Sequence, residues 1–353
     1  MGTVVSTYGP LLEHLTRRFG VSLPVAGATI SVHFAGALPG VFIAMWAVRR
    51  VSARVIVIVA SAVASVGLAA IAIAYVWPEF LAAVFLVGLG FGGLVLTLNQ
   101  LVAFSAGRRR AALLNALNAA YSAGAVAGPL LVAALAREHF ALLYLGSALV
   151  WLVLIFGAGG ITGRLPVDAG APRRPDRLVG IFISAFILYV AVETGTGGWM
   201  ASHLESLGLS SDSAASLTSA FFLALVTGRL LIALVPPAVS ESTVVLVSAV
   251  ASTVALAAAA FGIGMPWAYA VAGLAMAPIF PTGVVWLARL RPTDSRATSW
   301  LFPATSIGGV VGPAAIGLVI ANAGVQWTPV VLGVLAVFMV GAFGAARRTA
   351  SAV

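Results

Sequence analysis

What most limits the folds open to this chain is a series of apolar stretches, each about 20 residues long, that recurs from one end to the other. A helix rises 1.5 Å per residue, so about 20 residues cover the roughly 30 Å of hydrocarbon in a bilayer. The stretches fall at 1–13, 24–47, 55–76, 79–104, 111–135, 141–162, 178–202, 213–235, 242–263, 267–288, 298–321 and 326–346. In lipid every backbone polar group must be satisfied within the chain, and uniformly apolar runs of this length do so as helices. The expected fold is all-α integral membrane, with twelve transmembrane helices. Only 8% of the 353 residues are charged, against about 25% in ordinary soluble domains.

The first stretch is short: about 12 apolar residues precede Glu13-His14 and Arg17-Arg18, a reach of roughly 18 Å. No basic region precedes it and no small-residue cleavage site closes it, which argues against a signal peptide. The expectation is a first helix truncated at its start.

All 19 basic residues are arginine. With the N-terminal side in the cytoplasm, only Arg17, Arg18 and Arg137 lie outside, and the others, Arg49, Arg50, Arg54, Arg229 and Arg347 among them, lie inside. The positive-inside rule then places both termini in the cytoplasm of a multi-pass protein of the inner (plasma) membrane. The excess charge suits anionic lipid headgroups, whereas a nucleic-acid partner would want a folded basic face among polar residues. With no cysteine, disulfides, thiolate chemistry and Cys-based metal sites are excluded.

The segment around 162–177, with Pro166, Pro172 and Pro175 among Gly, Asp and Arg, has the composition of an exposed connection. It divides the chain into an N-terminal six-helix bundle at 1–163, a cytoplasmic linker at 164–177 and a C-terminal six-helix bundle at 178–353. The halves echo each other, as in duplicated transporters. Ser122-x-Gly124-x-x-x-Gly128-Pro129 recurs 184 residues later as Ser306-x-Gly308-x-x-x-Gly312-Pro313. Ser31-x-x-Phe34 with Gly40 recurs 188 residues later as Ser219-x-x-Phe222 with Gly228, and Gly9 and Gly20 answer Gly197 and Gly208.

The chain resembles the major facilitator superfamily, and within it the fucose permease-like sugar:proton symporters. The likeness runs over essentially the whole length: Gly88-Leu-Gly90-Phe-Gly92 with Asn99, Leu114-Asn115 to Gly128-Pro129, Tyr189-x-x-x-Glu193 ending in Trp199, Gly228-Arg229, and Ala277-Pro278-Ile-Phe280-Pro281-Thr282 with Trp286. It implies two pseudo-symmetric six-helix bundles working by alternating access. Two departures stand out. The superfamily's loop between spans 2 and 3 usually carries an Asp and a Gly among basic residues, and Ala47-Val48-Arg49-Arg50-Val51-Ser52 has neither. The first six spans also lack an interior carboxylate.

Glu193 is therefore the residue most in need of an explanation. A carboxylate in hydrocarbon costs roughly 2.5 kcal/mol or more on insertion scales, so it belongs in a cavity or against a partner and marks a functional site by default. Near the middle of span 7 it is the expected proton carrier, with His33 in span 2 as a possible relay; a structural hydrogen bond is the plainer reading of each. Thr194-Gly195-Thr196-Gly197-Gly198 follows, and glycines lower helix stability by about 1 kcal/mol each relative to Ala. Gly195, Gly197 and Gly198 are expected to bend or unwind the outer end of the span as a gate, unless they serve close packing.

Asn99, Asn118, Tyr121, Tyr189, Phe280 and Thr282 supply uncharged polar or aromatic groups of the kind that hold a sugar or polyol; polar groups also bind membrane helices to one another. Pro278 and Pro281 should kink span 10 as a moving part. Trp286 is expected as an interfacial anchor, and Arg229 as a cytoplasmic anchor or, in a sharper reading, a gate contact. Gly88-x-Gly90-x-x-Gly93 fits a dinucleotide pattern but lies inside an apolar span with no preceding strand, so close packing is its expected role.

No arrangement resembles a catalytic triad, metal cluster or phosphate loop, so the expected protein is no enzyme and uses no metal or cofactor, its energy coming from the proton gradient. The leading expectation is a monomer that carries a small-molecule substrate, a sugar or polyol, inward with protons. The alternative is a proton-coupled efflux antiporter for drugs or lipophilic cations, and a sensor or lipid translocator is a third class.

Overall fold

The computed structural model of the chain describes residues 1–105, 110–135, 139–161, 175–232, 238–291 and 297–351, without the side chains of 103–116, 118 and 154. Every regular element among these is helical: α1 (Gly2–Phe19), α2 (Leu23–Ala47), α3 (Ala53–Ile73), α4 (Trp77–Ser105), α5 (Arg110–Leu135), α6 (Phe140–Gly157), α7 (Arg177–Ser206), α8 (Ser211–Leu231), α9 (Glu241–Ala260), α10 (Ala268–Met276), α11 (Ile279–Leu290), α12 (Leu301–Ala323) and α13 (Thr328–Ser351). Helices α10 and α11 form one crossing, Ala268–Leu290, interrupted at Ala277-Pro278. Ten stretches among the described residues are long and apolar enough to cross a membrane, and α1 and α5 complete the twelve spans.

Helix α1 runs six residues beyond the end expected for it, through Glu13 and Arg17 to a left-handed Gly20 at φ 64°. The charged turns persist because their groups find partners. Arg17 lies 3.5 Å from Glu13 one turn earlier, and the Arg18 guanidinium sits 4.5 Å from the centre of the Phe140 ring. The expected linker falls mostly outside the described residues. At its described end, Asp176 accepts a 2.9 Å hydrogen bond from the Val179 amide, capping α7, and pairs with Arg291 at 2.8 Å.

Small residues set the helix spacing. With no hydrophobic force between helices in lipid, association depends on backbones approaching closely. Gly124 and Gly128 of α5 lie against Thr3 and Ser6 of α1, and Gly308 and Gly312 of α12 lie against Ile187, Val190 and Ala191 of α7. Gly36, Gly40, Gly88 and Gly92 bring α2 against α4, and Gly228 and Gly273 bring α8 against α10. The repeated motifs thus build the same two contacts twice, and the dinucleotide-like run of α4 is packing surface, as expected. Among the described residues two serine hydroxyls reach a backbone carbonyl of the other half: Ser31 Oγ donates to the Val310 carbonyl at 2.9 Å, and Ser219 Oγ to that of Val126 at 2.7 Å. On the outer faces large apolar side chains stand exposed, Phe156 and Phe338 among them, a surface suited to acyl chains rather than water.

Candidate functional site

The residues of the site come from both halves. Val5 of α1, Ile30 and Phe34 of α2, and Tyr121, Ser122 and Ala125 of α5 form one wall; Glu193, Thr194, Gly197 and Gly198 of α7, and Phe222, Leu225 and Arg229 of α8 form the other. Between them lies a small cavity of about 50 Å³. The walls are mostly hydrocarbon and the polar groups converge on one place. Arg229 Nη2 lies 3.3 Å from Glu193 Oε1, and Nη1 donates to Ser122 Oγ at 2.9 Å.

The pair explains how both charges are tolerated in an apolar wall. Their side chains are 21% and 20% exposed. At 3.3 Å and an effective dielectric constant of about 20 the attraction amounts to roughly 5 kcal/mol, comparable with the several kcal/mol that desolvating each ion costs. Only Glu193 can leave the pair by changing charge, because a guanidinium does not deprotonate in proteins.

Arg229 had two expected readings, a cytoplasmic anchor and a gate contact. Its place after Gly228, near the end of a span, suggested the anchor; α8 carries it on the cavity face, where its long stem reaches Glu193 and Ser122, a position compatible with the second reading. Tyr121 lines the cavity, as expected. The side chain of Asn118 lies outside the described residues.

The other candidates do not line this space, although Tyr189 adjoins the ionic pair from behind. His33 is fully buried behind Phe34, its Nδ1 3.1 Å from the Tyr8 hydroxyl and its Nε2 without a hydrogen-bond partner among the described residues. Tyr189, one turn before Glu193, is buried with Phe186 and Phe280 in an aromatic cluster between α7 and α11, and its hydroxyl has no hydrogen-bond partner among the described residues. Asn99 donates its amide to the Val95 carbonyl of its own helix at 2.8 Å. Thr282 lies half-buried on α11 away from the cavity lining, its backbone amide bonded to the Pro278 carbonyl at 3.1 Å. Trp286 is buried edge-on against Phe182 with ring centres 4.8 Å apart, so it packs in the core and is no interfacial anchor.

The expected unwinding after Glu193 is also overturned: α7 continues as one helix to Ser206. A Cβ on Gly195 would meet Ile316 and Leu332, one on Gly197 would meet Phe222, and one on Gly198 would meet Ile30. These glycines let α7 touch its neighbours on several sides, and that close approach is what the missing side chains provide. The helix break falls instead at Pro278, while Pro281 occupies the first turn of α11, where its missing N–H leaves no bond unmade.

Ser122, Phe34 and Phe222 were visible as members of the repeats but not as cavity residues. Val5, Ile30, Ala125 and Leu225 carry no signal that separates them from other apolar span residues.

Twelve membrane-crossing helices whose related halves meet around a buried ionic pair form the architecture of secondary transporters. The model of the Major Facilitator Superfamily matches residues 1–180, just over half of the chain, and the chain belongs to that superfamily. No curated protein matches the sequence. Among solved structures, a bacterial homolog of the human lysosomal transporter Spinster, in an inward-facing and occupied conformation, is 16% identical, with a TM-score of 0.75 over 99% of this chain and 94% of that one. The nucleoside transporter NupG is 14% identical, with a TM-score of 0.76 over 98% and 96%. A D-xylose-proton symporter is 14% identical, with a TM-score of 0.70 over 97% and 94%. At these identities the likeness establishes the fold.

Proposed function

We propose that this transporter carries a small solute inward together with protons, by alternating access, and that Glu193 is the proton carrier. The reading rests above all on the Glu193–Arg229 pair set in the space between the two halves. Protonating Glu193 removes its charge and with it the attraction to Arg229, so proton arrival loosens a contact inside the cavity. The resemblance to fucose permease-like symporters and the fold shared with a D-xylose-proton symporter support the direction and the coupling. Asn99, Phe280 and Thr282 do not line the cavity and Tyr189 stands behind Glu193 and Arg229, so the substrate is judged from the lining itself. Both termini are assigned to the cytoplasm of the plasma membrane, since the arginines of the loops remain one-sided after Arg229 moves into the cavity.

The test uses proteoliposomes and a panel of radiolabelled D-xylose, uridine, benzoate and a cationic dye. An inward proton gradient should drive accumulation of at least one solute, and Glu193→Gln should abolish accumulation while leaving exchange of preloaded solute. Normal accumulation in Glu193→Gln overturns the coupling assignment, and gradient-driven expulsion of the dye establishes the efflux alternative.

A further inference from the structure

The cavity has an unusual inventory for a neutral polar solute. Ser122 Oγ already accepts from Arg229, and Thr194 Oγ1 donates to the Val190 carbonyl at 2.6 Å. Among the described side chains, that leaves the Tyr121 hydroxyl and the remaining capacity of Ser122 and Thr194 as the uncharged polar groups facing the space, among Ile30, Phe34, Phe222 and Leu225. A sugar or polyol would bury several hydroxyls there without partners, and each such group costs about 1–3 kcal/mol. An apolar body with one ionic group fits the same walls.

The sign of that group follows from which member of the pair can lose its charge. A bound cation would take Glu193 and leave the permanent charge of Arg229 beside a second positive group in a low-dielectric space, with one carboxylate between them. A bound anion takes Arg229, and Glu193 is neutralised by one proton from water, leaving the cavity as neutral as in the ion-paired state. The guanidinium has donors for this exchange: of its five N–H bonds, the contacts to Ser122 and Glu193 engage two.

Building on the proton-coupled reading, we propose that the solute is a small monoanion with an apolar body, such as a monocarboxylate, which replaces Glu193 on Arg229 as Glu193 takes up a proton. The anion and the proton then cross together, one of each, and the cycle moves no net charge. The titratable groups facing Glu193 are Arg229 on α8, Tyr121 on α5 and Tyr189 on its own helix; α1 and α2 present Val5, Ile30 and Phe34, and α12 and α13 present Ile316 and Leu332 beside Gly195. Glu193 is the one carboxylate in this set, and the guanidinium beside it does not deprotonate in proteins.

The test is titration calorimetry on the purified protein with benzoate, phenylacetate and hexanoate, each beside its amide, in two buffers of different ionisation enthalpy. At least one carboxylate should bind at least tenfold more tightly than its amide, with uptake of about one proton per anion. Glu193→Gln should bind that carboxylate without proton uptake, and Glu193→Gln/Arg229→Gln, which leaves no unpaired charge behind, should lose at least tenfold in affinity while melting as a folded protein. Amides that bind as tightly as the acids, no binding by any of the three acids at millimolar concentration, or full affinity in the double variant would each overturn the proposal. The two readings fail separately. Proton-driven, Glu193-dependent uptake of D-xylose without carboxylate binding sinks the anion and spares the coupling; tight, Arg229-dependent anion binding with undiminished proton uptake in Glu193→Gln sinks the coupling and spares the anion site.

Discussion

The two halves of the molecule share a scaffold and differ in chemistry. The 188-residue offset that matches Gly9 with Gly197 and Gly40 with Gly228 also matches Val5 with Glu193 and Val41 with Arg229. Phe34 and Phe222, paired by the same offset, both line the cavity, and so do Val5 and Glu193. Ser31 and Ser219 reach across to carbonyls on α12 and α5 that are themselves 184 residues apart. Packing positions are thus duplicated, while the ionic pair stands in the second half alone and borrows only Ser122 from the first. Close helix approach demands small residues at the same register in both halves, so the framework cannot diverge freely. A charge needs one partner, and once that partner exists in one half the symmetric positions are free to remain valine.

The comparison breaks most visibly if the second half is made to copy the first. Arg229→Val should destabilise the protein by about 3–5 kcal/mol, because it strands the Glu193 carboxylate. Glu193→Val/Arg229→Val should recover to within about 1–2 kcal/mol of the parent in thermal unfolding while abolishing transport. A double variant as unstable as the single one would mean that the cavity does not accept the valines of the first half.

Next in size come the repeated glycines. Gly128→Val should overpack α5 on α1 and Gly312→Val should overpack α12 on α7, each by about 1–3 kcal/mol. A penalty at only one of them, read from denaturation midpoints, would show that the halves do not carry their packing equally.

Smaller still is the pair of serine-to-carbonyl hydrogen bonds across the halves. Ser31→Ala and Ser219→Ala should each weaken the contact between the halves by about 1 kcal/mol. Since the chain has no cysteine, Tyr121→Cys gives a clean reporter, and its labelling rate should rise about equally in both backgrounds. Unequal rises would show that one side of the interface carries the closure.

The smallest effect lies outside the membrane. The Val179 amide, and after it Arg291, hold the Asp176 carboxyl below its ordinary value of 3.8. A depressed folded-state value stabilises the protein above the unfolded value, and that stability is lost as pH falls through the folded one. Asp176→Ala should therefore lose about 1 kcal/mol or less at pH 7, given its 48% exposure, and the difference should shrink below about pH 4 in thermal melts. A difference that persists unchanged at low pH would assign it to something other than the charge.

Much of this architecture is legible in one dimension. Apolar run length sets the spans, and the offsets of Ser31, Gly124, Gly128 and their counterparts show the duplication, because small residues at helix interfaces recur with the interface. Glu193 is equally visible, since a lone carboxylate in a span always calls for a partner. Arg229 stayed between two readings because a span end and a cavity face look alike in sequence: the residue is on α8 either way, and only the rotation of the helix decides which. Asn99 and Tyr189 do not line the cavity for the related reason that a polar side chain can bond to its own helix or pack into an aromatic cluster. The glycines after Glu193 were read by intrinsic propensity, and tertiary contacts with Ile30, Phe222 and Ile316 overrode it.

By itself the sequence determined that the chain crosses a bilayer in two related halves and that one carboxylate lies buried in the second, because hydrophobic length and burial cost are properties of local composition. Which side chains meet was decided by the tertiary structure alone. The guanidinium that answers Glu193 is 36 residues away and the hydroxyl that steadies it is a further 107 from that, a convergence set by how α5, α7 and α8 are rotated against one another.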